Sequence, residues 1–327
     1  MATDARIARL RLVLASVLLL MPSLAECQEW PAKQPIKVVV PFSAGSATDV
    51  IARSVFDQVS KQIGQTIITE NRVGAGGTIG ANAVAKAEPD GYTLLVHSSS
   101  HTVTPSTYSK LPYDAAKDFT AIVPLASLPS ILVASPAKGY KSLQGLVDAA
   151  KKNPGALNYA SAGAGSAAHL TAERFKLSAN IQAQHVAFKG APEALTEIVA
   201  DRIDFYFCPV LPALSLIREG KLSALAVSSS RRASALPDVP TTVESGFANS
   251  EYEFWIGAFA PGQTPKAITD RLYSEISKAL ADAAVAERLA KLGADPMKMT
   301  SAEFEGLIAR EIESNAALVK AAGVKAN

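Results

Sequence analysis

Short β-branched runs alternate with helical patterns along most of this chain, and that alternation restricts the fold more than any other feature. "IKVVVPF" (36–42) is followed by Ile51, Val55, Val59 and Ile63, an apolar four-residue spacing that ends at Gly64. "TIITE" (66–70) precedes a Gly-rich turn and an Ala-rich helix near 79–87, and Pro89-Asp90-Gly91 then turns into "YTLLVHS" (92–98). "ILVAS" (131–135), "LNYASA" (157–162), "IQAQHVAF" (181–188), "IDFYFC" (203–208) and "LSALAVSS" (222–229) continue the strands. Helical patterns near 142–152, 167–176 and 191–200 lie between them. Such alternation predicts an α/β fold of parallel sheets with helices on both faces. No repeat period is visible. Two long packing helices are expected at the end. The first carries Ile268, Leu272, Ile276 and Leu280 after Pro265 and is closed by Gly293. The second opens on the capping box Thr300-x-x-Glu303, with Phe304, Ile308 and Ile312 on one face.

The length of 327 residues favours two domains, and 48% hydrophobic content suffices for a substantial core. Residues 1–25 read as a secretory signal peptide. Arg6, Arg9 and Arg11 precede the apolar run Leu12–Met21, and Ser23-Leu24-Ala25 fits a small-x-small cleavage site. Cleavage there removes three Arg and one Asp, so the formal charge falls from +2 to 0. A neutral chain exerts no long-range pull on nucleic acid or anionic membrane, so any bound anion must be held locally. Cys27 and Cys208 are the only cysteines. A disulfide would have to join a chain terminus to a strand, and acidic Glu26 argues against lipidation of Cys27.

Three strand-to-helix junctions share one physical design. They are "VVVPFSAGSATDV" (38–50), "NRVGAGGTIGA" (71–81) and "NYASAGAGSAAHL" (158–170), each a strand leading through small residues into a helix. Ser46-x-x-Asp49 has cap spacing, so Ser46 is expected to cap the first of these helices. In open α/β sheets, loops beyond the carboxyl ends of the strands line the ligand crevice. A helix start there offers unpaired N–H groups and a partial positive charge, and Gly or Ala lets an anion reach them. A small carboxylate is the natural guest, and it needs no Lys or Arg.

Other chemistries fit poorly. Gly163-x-Gly165-x-x-Ala168 formally matches a dinucleotide fingerprint, but the next strand ends "HVAFK" without the carboxylate a ribose requires. Neither Ser46 nor Ser166 sits in a Gly-x-Ser-x-Gly elbow, which leaves a hydrolase as a remote alternative. His97, His101, His169 and His185 form no metal-binding spacing. No cofactor, catalytic residue or metal is expected. His97 and His185 read as strand residues satisfied by the backbone, whereas His101 and His169 fall on expected cleft loops.

Several stretches together resemble the solute-binding receptors of tripartite tricarboxylate transporters, the Bug receptors. They are "WPAKQPIKVVVPFSAGSATDVIAR", "ENRVGAGGTIGANAVAKAEPDGYTLL", "LPYDAAKDFTAIVPLA", "NYASAGAGSAAHLTAERF", "GKLSALAVSSSRRASALPDVPTTVESG" and "FWIGAFAPGQTP". The resemblance implies a two-lobe periplasmic binding fold of the type II kind, with two crossover strands at the hinge. It places lobe 1 at 26–126 plus 252–327 and lobe 2 at 127–251. It implies a non-enzymatic, monomeric periplasmic receptor that grips a ligand carboxylate between two facing loops and presents it to membrane permease subunits. A sensor signalling to a membrane kinase would use the same cleft. The first loop would contribute Phe42, Ala44, Gly45, Ser46, Ala47 and Thr48. The second would contribute Ser161, Ala162, Gly163 and Ser166, with His169 behind. Gly76, Ser98 and His101 would line the first lobe's wall, and Phe188-Lys189-Gly190 and Cys208–Val210 the second's. Three departures bear on the ligand: Ser46 where the family has a second Gly, Phe188 in place of a Tyr, and Cys208 where an acid is common. They lean toward a di- or aromatic carboxylate over an amino acid.

Overall fold

A computed structural model describes residues 30–325; the expected signal peptide and Cys27 lie outside them. Two five-stranded mixed sheets, each covered by helices on both faces, form two lobes. The first sheet holds β1 (Ile36–Val40), β2 (Ile67–Asn71), β3 (Thr93–Ser98), β4 (Phe119–Leu128) and β10 (Phe254–Pro261), in the order β2-β1-β3-β10-β4. The second holds β5 (Ser130–Ala134), β6 (Asn158–Ser161), β7 (Gln184–Ala187), β8 (Phe205–Pro209) and β9 (Ser223–Val227), in the order β7-β6-β8-β5-β9. The two orders are the same pattern.

In each sheet three strands run parallel and the fourth position is antiparallel to both neighbours. The sheets are thus parallel-rich, and the one strand in each that runs against its neighbours is a crossover strand of the kind the resemblance implies. The antiparallel strands are β5 and β10, the ones by which the chain arrives from the other sheet. No crossover helix reverses the chain on such an arrival, so the strand runs against its neighbours. Between β4 and β5 only Pro129 intervenes.

The parallel strands are followed by helices. In the first lobe these are α1 (Ala47–Ile63), α2 (Thr78–Ala85) and α3 (Ser100–Thr107). In the second they are α5 (Ala167–Ala179), α6 (Ala191–Val199) and α7 (Val210–Arg218), after α4 (Leu143–Lys152), which follows β5. The chain ends with α8 (Lys266–Ala281), α9 (Ala283–Lys291) and α10 (Ser301–Ala322). Strand alternation divides the core. On one face of the first sheet Val38, Val40, Leu94 and Val96 pack with Ile51, Val55, Leu272 and Ile276. On the other, Val39, Leu95, Trp255 and Phe259 pack with Phe304 and Ile308. The second sheet repeats this, with Ile131, Tyr206 and Cys208 against α6 and α7, and Leu132, Phe205 and Phe207 against α4 and α5.

The expected helix 266–293 is two helices. Asp282 takes an extended conformation and accepts from the N–H groups of Ala284 and Val285, at 3.0 and 3.2 Å, so its carboxylate restarts the helix. The capping box at Thr300 and Glu303 forms as the spacing predicts. Two helices escape sequence patterning. α3, "SHTVTPST", carries Pro105 and β-branched residues and is held by tertiary contacts; α7 continues the apolar run of β8 and turns at Pro209.

Candidate ligand-binding cleft

All three parallel strands of each sheet point their carboxyl ends at the seam between the lobes. β1, β3, β6, β7 and β8 end at a small cavity of about 30 Å³, room for one or two waters. Its wall includes Ala47 and Thr48 at the start of α1, Ser100 of α3, Ala168 of α5, Ala191 of α6 and Pro209 before α7. Five helix starts therefore converge on one space, each with its partial positive end inward. The remaining wall is Phe42, Ser46, Ser98, Ala162, Ser166, Gly190, Tyr206 and Phe254. No Lys, Arg, Asp or Glu is among these residues. The arrangement can hold a small anion through main-chain dipoles and hydroxyls without a formal countercharge.

Two short matching sequences build the facing loops. Gly45-Ser46-Ala47-Thr48-Asp49 and Gly165-Ser166-Ala167-Ala168-His169 fold alike. Ser46 Oγ accepts from Asp49 N–H and Ser166 Oγ accepts from His169 N–H, each at 3.3 Å. The fourth side chain then turns back: Asp49 Oδ2 accepts from Gly45 N–H at 3.0 Å and His169 Nδ1 from Gly165 N–H at 3.2 Å. Both glycines need the left-handed region, with φ of 80° and 73°. This internal correspondence went unread in the sequence, although Gly-Ser-Ala-x-(Asp/His) carries it. Asn71 braces the first loop by donating to Phe42 O and Asp49 Oδ1, both at 2.9 Å. Behind the second loop, the His169 and His185 rings stack at 3.8 Å, and His185 Nε2 lies 2.5 Å from Ser161 Oγ. Burial lowers both rings' pKa, to about 4 for His169 and about 3 for His185, so both are neutral near pH 7.

The lobes are closed on each other. Ser43 Oγ donates to Glu193 Oε1 at 2.6 Å, Tyr108 OH to Ala164 O at 3.0 Å, and Ala167 N–H to Ser100 Oγ at 2.8 Å. A Cβ on Gly76 would lie 2.1 Å from Ala164 O, and one on Gly163 2.8 Å from Gly76 N.

Of the residues singled out from sequence, Phe42, Ser46, Ala47, Thr48, Ser98, Ala162 and Ser166 meet at the cavity wall. Ala44, Gly45 and Ser161 shape its loops. Gly76, Gly163 and Phe188 lie at a neighbouring groove or contact along the seam. Three positions are set back. His101 is fully buried, its Nε2 2.9 Å from Ala115 O and its ring against Phe119 and Phe259. Burial lowers its pKa to about 4. Cys208 is fully buried in the apolar cluster under α6 and α7, and burial pushes its thiol up. His169 acts on Gly165 rather than on the cavity. The reading of Cys208 as a lost acid in the cleft therefore has no support in this geometry. Tyr206 was not singled out, yet it shares the face of β8 with Cys208 two residues on and reaches the cavity. Strand alternation could have found it.

Two similar α/β lobes closed over a cavity at their strand ends define a solute-binding protein. Residues 51–324 match the family described as the tripartite tricarboxylate transporter family receptor, and the chain belongs to that family. It is 38% identical to a UPF0065 protein encoded between tcbD and tcbE in Pseudomonas sp. strain P51, over 88% of this chain and 87% of that one. It is 35% identical to BugT of Bordetella pertussis, over 90% and 91%. Among solved structures it superposes on malate-bound MatC of Rhodopseudomonas palustris with a TM-score of 0.85 and 33% identity, covering 88% of this chain and 99% of that one. An adipate-bound protein of R. palustris gives a TM-score of 0.87 and 28% identity, with 91% and 99% covered. The family and these neighbours are receptors, not enzymes.

Proposed function

We propose that this receptor captures a small organic carboxylate, a dicarboxylate or an aromatic acid, in the periplasm and delivers it to a tripartite-type membrane permease. The observation that carries the reading is the cavity, lined by no charged side chain, at which helix starts from both lobes converge. The malate and adipate of its structural neighbours are anions of the kind these helix starts suit, and admitting one requires the cleft to widen from its present volume of about 30 Å³. Phe42, Ser46, Ala47, Thr48, Ser98, Ala162 and Ser166 would touch the ligand. The loop residues Ala44, Gly45, Gly76, Ser161 and Gly163 would shape the grip and closure. The lobes would divide at 26–126 plus 252–327 and 127–251, with the hinge at the β4–β5 link and the return into β10.

Affinity is within reach of this design. Micromolar binding needs about 8 kcal/mol, and hydrogen bonds to a charged group contribute about 1.5–3 kcal/mol each. A few main-chain and hydroxyl donors suffice once the lobes exclude water. The ligand would enter while the lobes are parted and favour their closure. The expected signal peptide and the family's role supply the location and the permease. Among the described residues no helix is long and apolar enough to cross a membrane.

Thermal denaturation with malate, adipate and benzoate tests the reading. At least one acid should raise the midpoint with concentration, by about 2.7 kcal/mol of stability at a hundred times its Kd. Stabilisation by none of them, or by acidic amino acids alone, would refute it.

A further inference from the structure

The cavity's serine hydroxyls are committed. Ser46 and Ser166 cap their helices, Ser98 Oγ donates to Ser100 Oγ at 2.9 Å, and Ser100 Oγ accepts from Ala167 N–H. Tyr206 differs. Its side chain has no exposure to solvent, its ring belongs to the apolar cluster under α6 and α7, and its hydroxyl borders the cavity with no hydrogen-bond partner among the protein's described residues. A buried phenol without a partner is costly in a folded chain, and such a group calls for an explanation. A phenylalanine would fill the same cluster without that cost.

The placement supplies the explanation. Tyr206 rises from β8, in the second lobe's floor, and shares the cavity wall with Ala191 and Pro209 at the starts of α6 and α7. The two matched loops, with their caps at Ser46 and Ser166, occupy other parts of the wall. No carboxylate borders the cavity to meet a ligand ammonium, and no cation borders it to take a second negative charge. Besides the helix starts, a phenol O–H is what the floor offers.

We propose that Tyr206 is the specificity-determining group of the cleft: its O–H donates to an oxygen of the ligand's second carboxylate, selecting diacids over monocarboxylates of equal length. This rests on the carboxylate-receptor reading and deepens it. Burial raises the phenol's pKa well above its ordinary value, so the hydroxyl keeps its proton and remains a donor beside an anion. The selectivity follows from the asymmetry of buried hydrogen bonding. A monocarboxylate leaves the phenol as unpartnered as it already is, whereas a diacid satisfies it.

Calorimetric titration of the protein and of Tyr206→Phe with adipate and with hexanoate tests this. The unmodified protein should prefer adipate. The substitution should weaken adipate binding about ten- to a hundred-fold and alter hexanoate binding far less, so that the preference for adipate collapses. The unliganded variant should be at least as stable as its parent, because it discards an unpartnered buried hydroxyl. Undiminished adipate preference in Tyr206→Phe would overturn the role of Tyr206 while leaving the receptor reading intact. Failure of the unmodified protein to bind either acid, or malate in a parallel titration, would overturn both.

Discussion

Gly163 and Gly76 face each other across the seam, and neither tolerates a side chain. Gly163 holds φ at 113° and Gly76 at 63°, both in the left-handed region, and their backbones come within the space a methyl group would fill. From sequence, the bare turn 158–170 reads as room for a ligand. The structure gives Gly163 to the opposite lobe and leaves the cavity wall to Ala162, Ser166 and Ala168. Gly163→Val should therefore wedge the lobes apart. Small-angle scattering should show a larger radius of gyration, with the far-UV spectrum unchanged and acid affinity reduced by at least about ten-fold, or 1.4 kcal/mol. A closed profile with native affinity would count against this role of the glycine contact.

Paired elements carry the site. α1 and α5 begin with the same cap, Ser46 or Ser166, and each returns a side chain to the glycine before it. Ser166→Ala removes that cap. The expected loss is about 1 kcal/mol of stability in urea denaturation, with acid binding weakened modestly because the loop N–H groups lose their fixed direction. Full binding strength in the variant would show that the cap serves folding alone. Much of this was legible in the residues. β-Branched runs marked the strands, Gly64 closed α1, and Thr300 with Glu303 opened α10. The break at Asp282 was hidden because the apolar period continues toward it from Ile268. α3 was hidden because tertiary contacts overrule poor helix formers there; Thr102 reaches Glu311 and Asn315 of α10, at 2.9 Å each.

At the scale of the whole molecule, acid is the expected weakness. The four histidines are held neutral: His97, His101 and His169 are buried and His185 half-buried. Burial lowers the pKa of His97 well below 6.5, of His101 and His169 to about 4, and of His185 to about 3. Below pH 6.5 the unfolded chain takes up protons that the fold refuses, so stability falls as pH drops through the window from 6.5 to about 4. Each histidine contributes a slope of up to about 1.4 kcal/mol per pH unit. Glu311, raised by burial, works in the opposite sense at the acid end of that window. Urea midpoints measured at about pH 7 and about pH 5 should differ accordingly, and His185→Gln should narrow the gap. Equal midpoints would show that these rings titrate normally. The two-lobe plan was legible because strand and helix periods are local signals. Which loops face each other across the seam came from the family resemblance and not from the local pattern, since that depends on two chain crossings far apart in sequence.

The seam meets through main-chain atoms and three hydrogen bonds. A dye pair mounted on the two halves would report a short separation in this closed form. As a biosensor scaffold, the chain's signal range would be set by how far those contacts let the halves part. Loosening the Tyr108–Ala164 latch would be the first step in widening it.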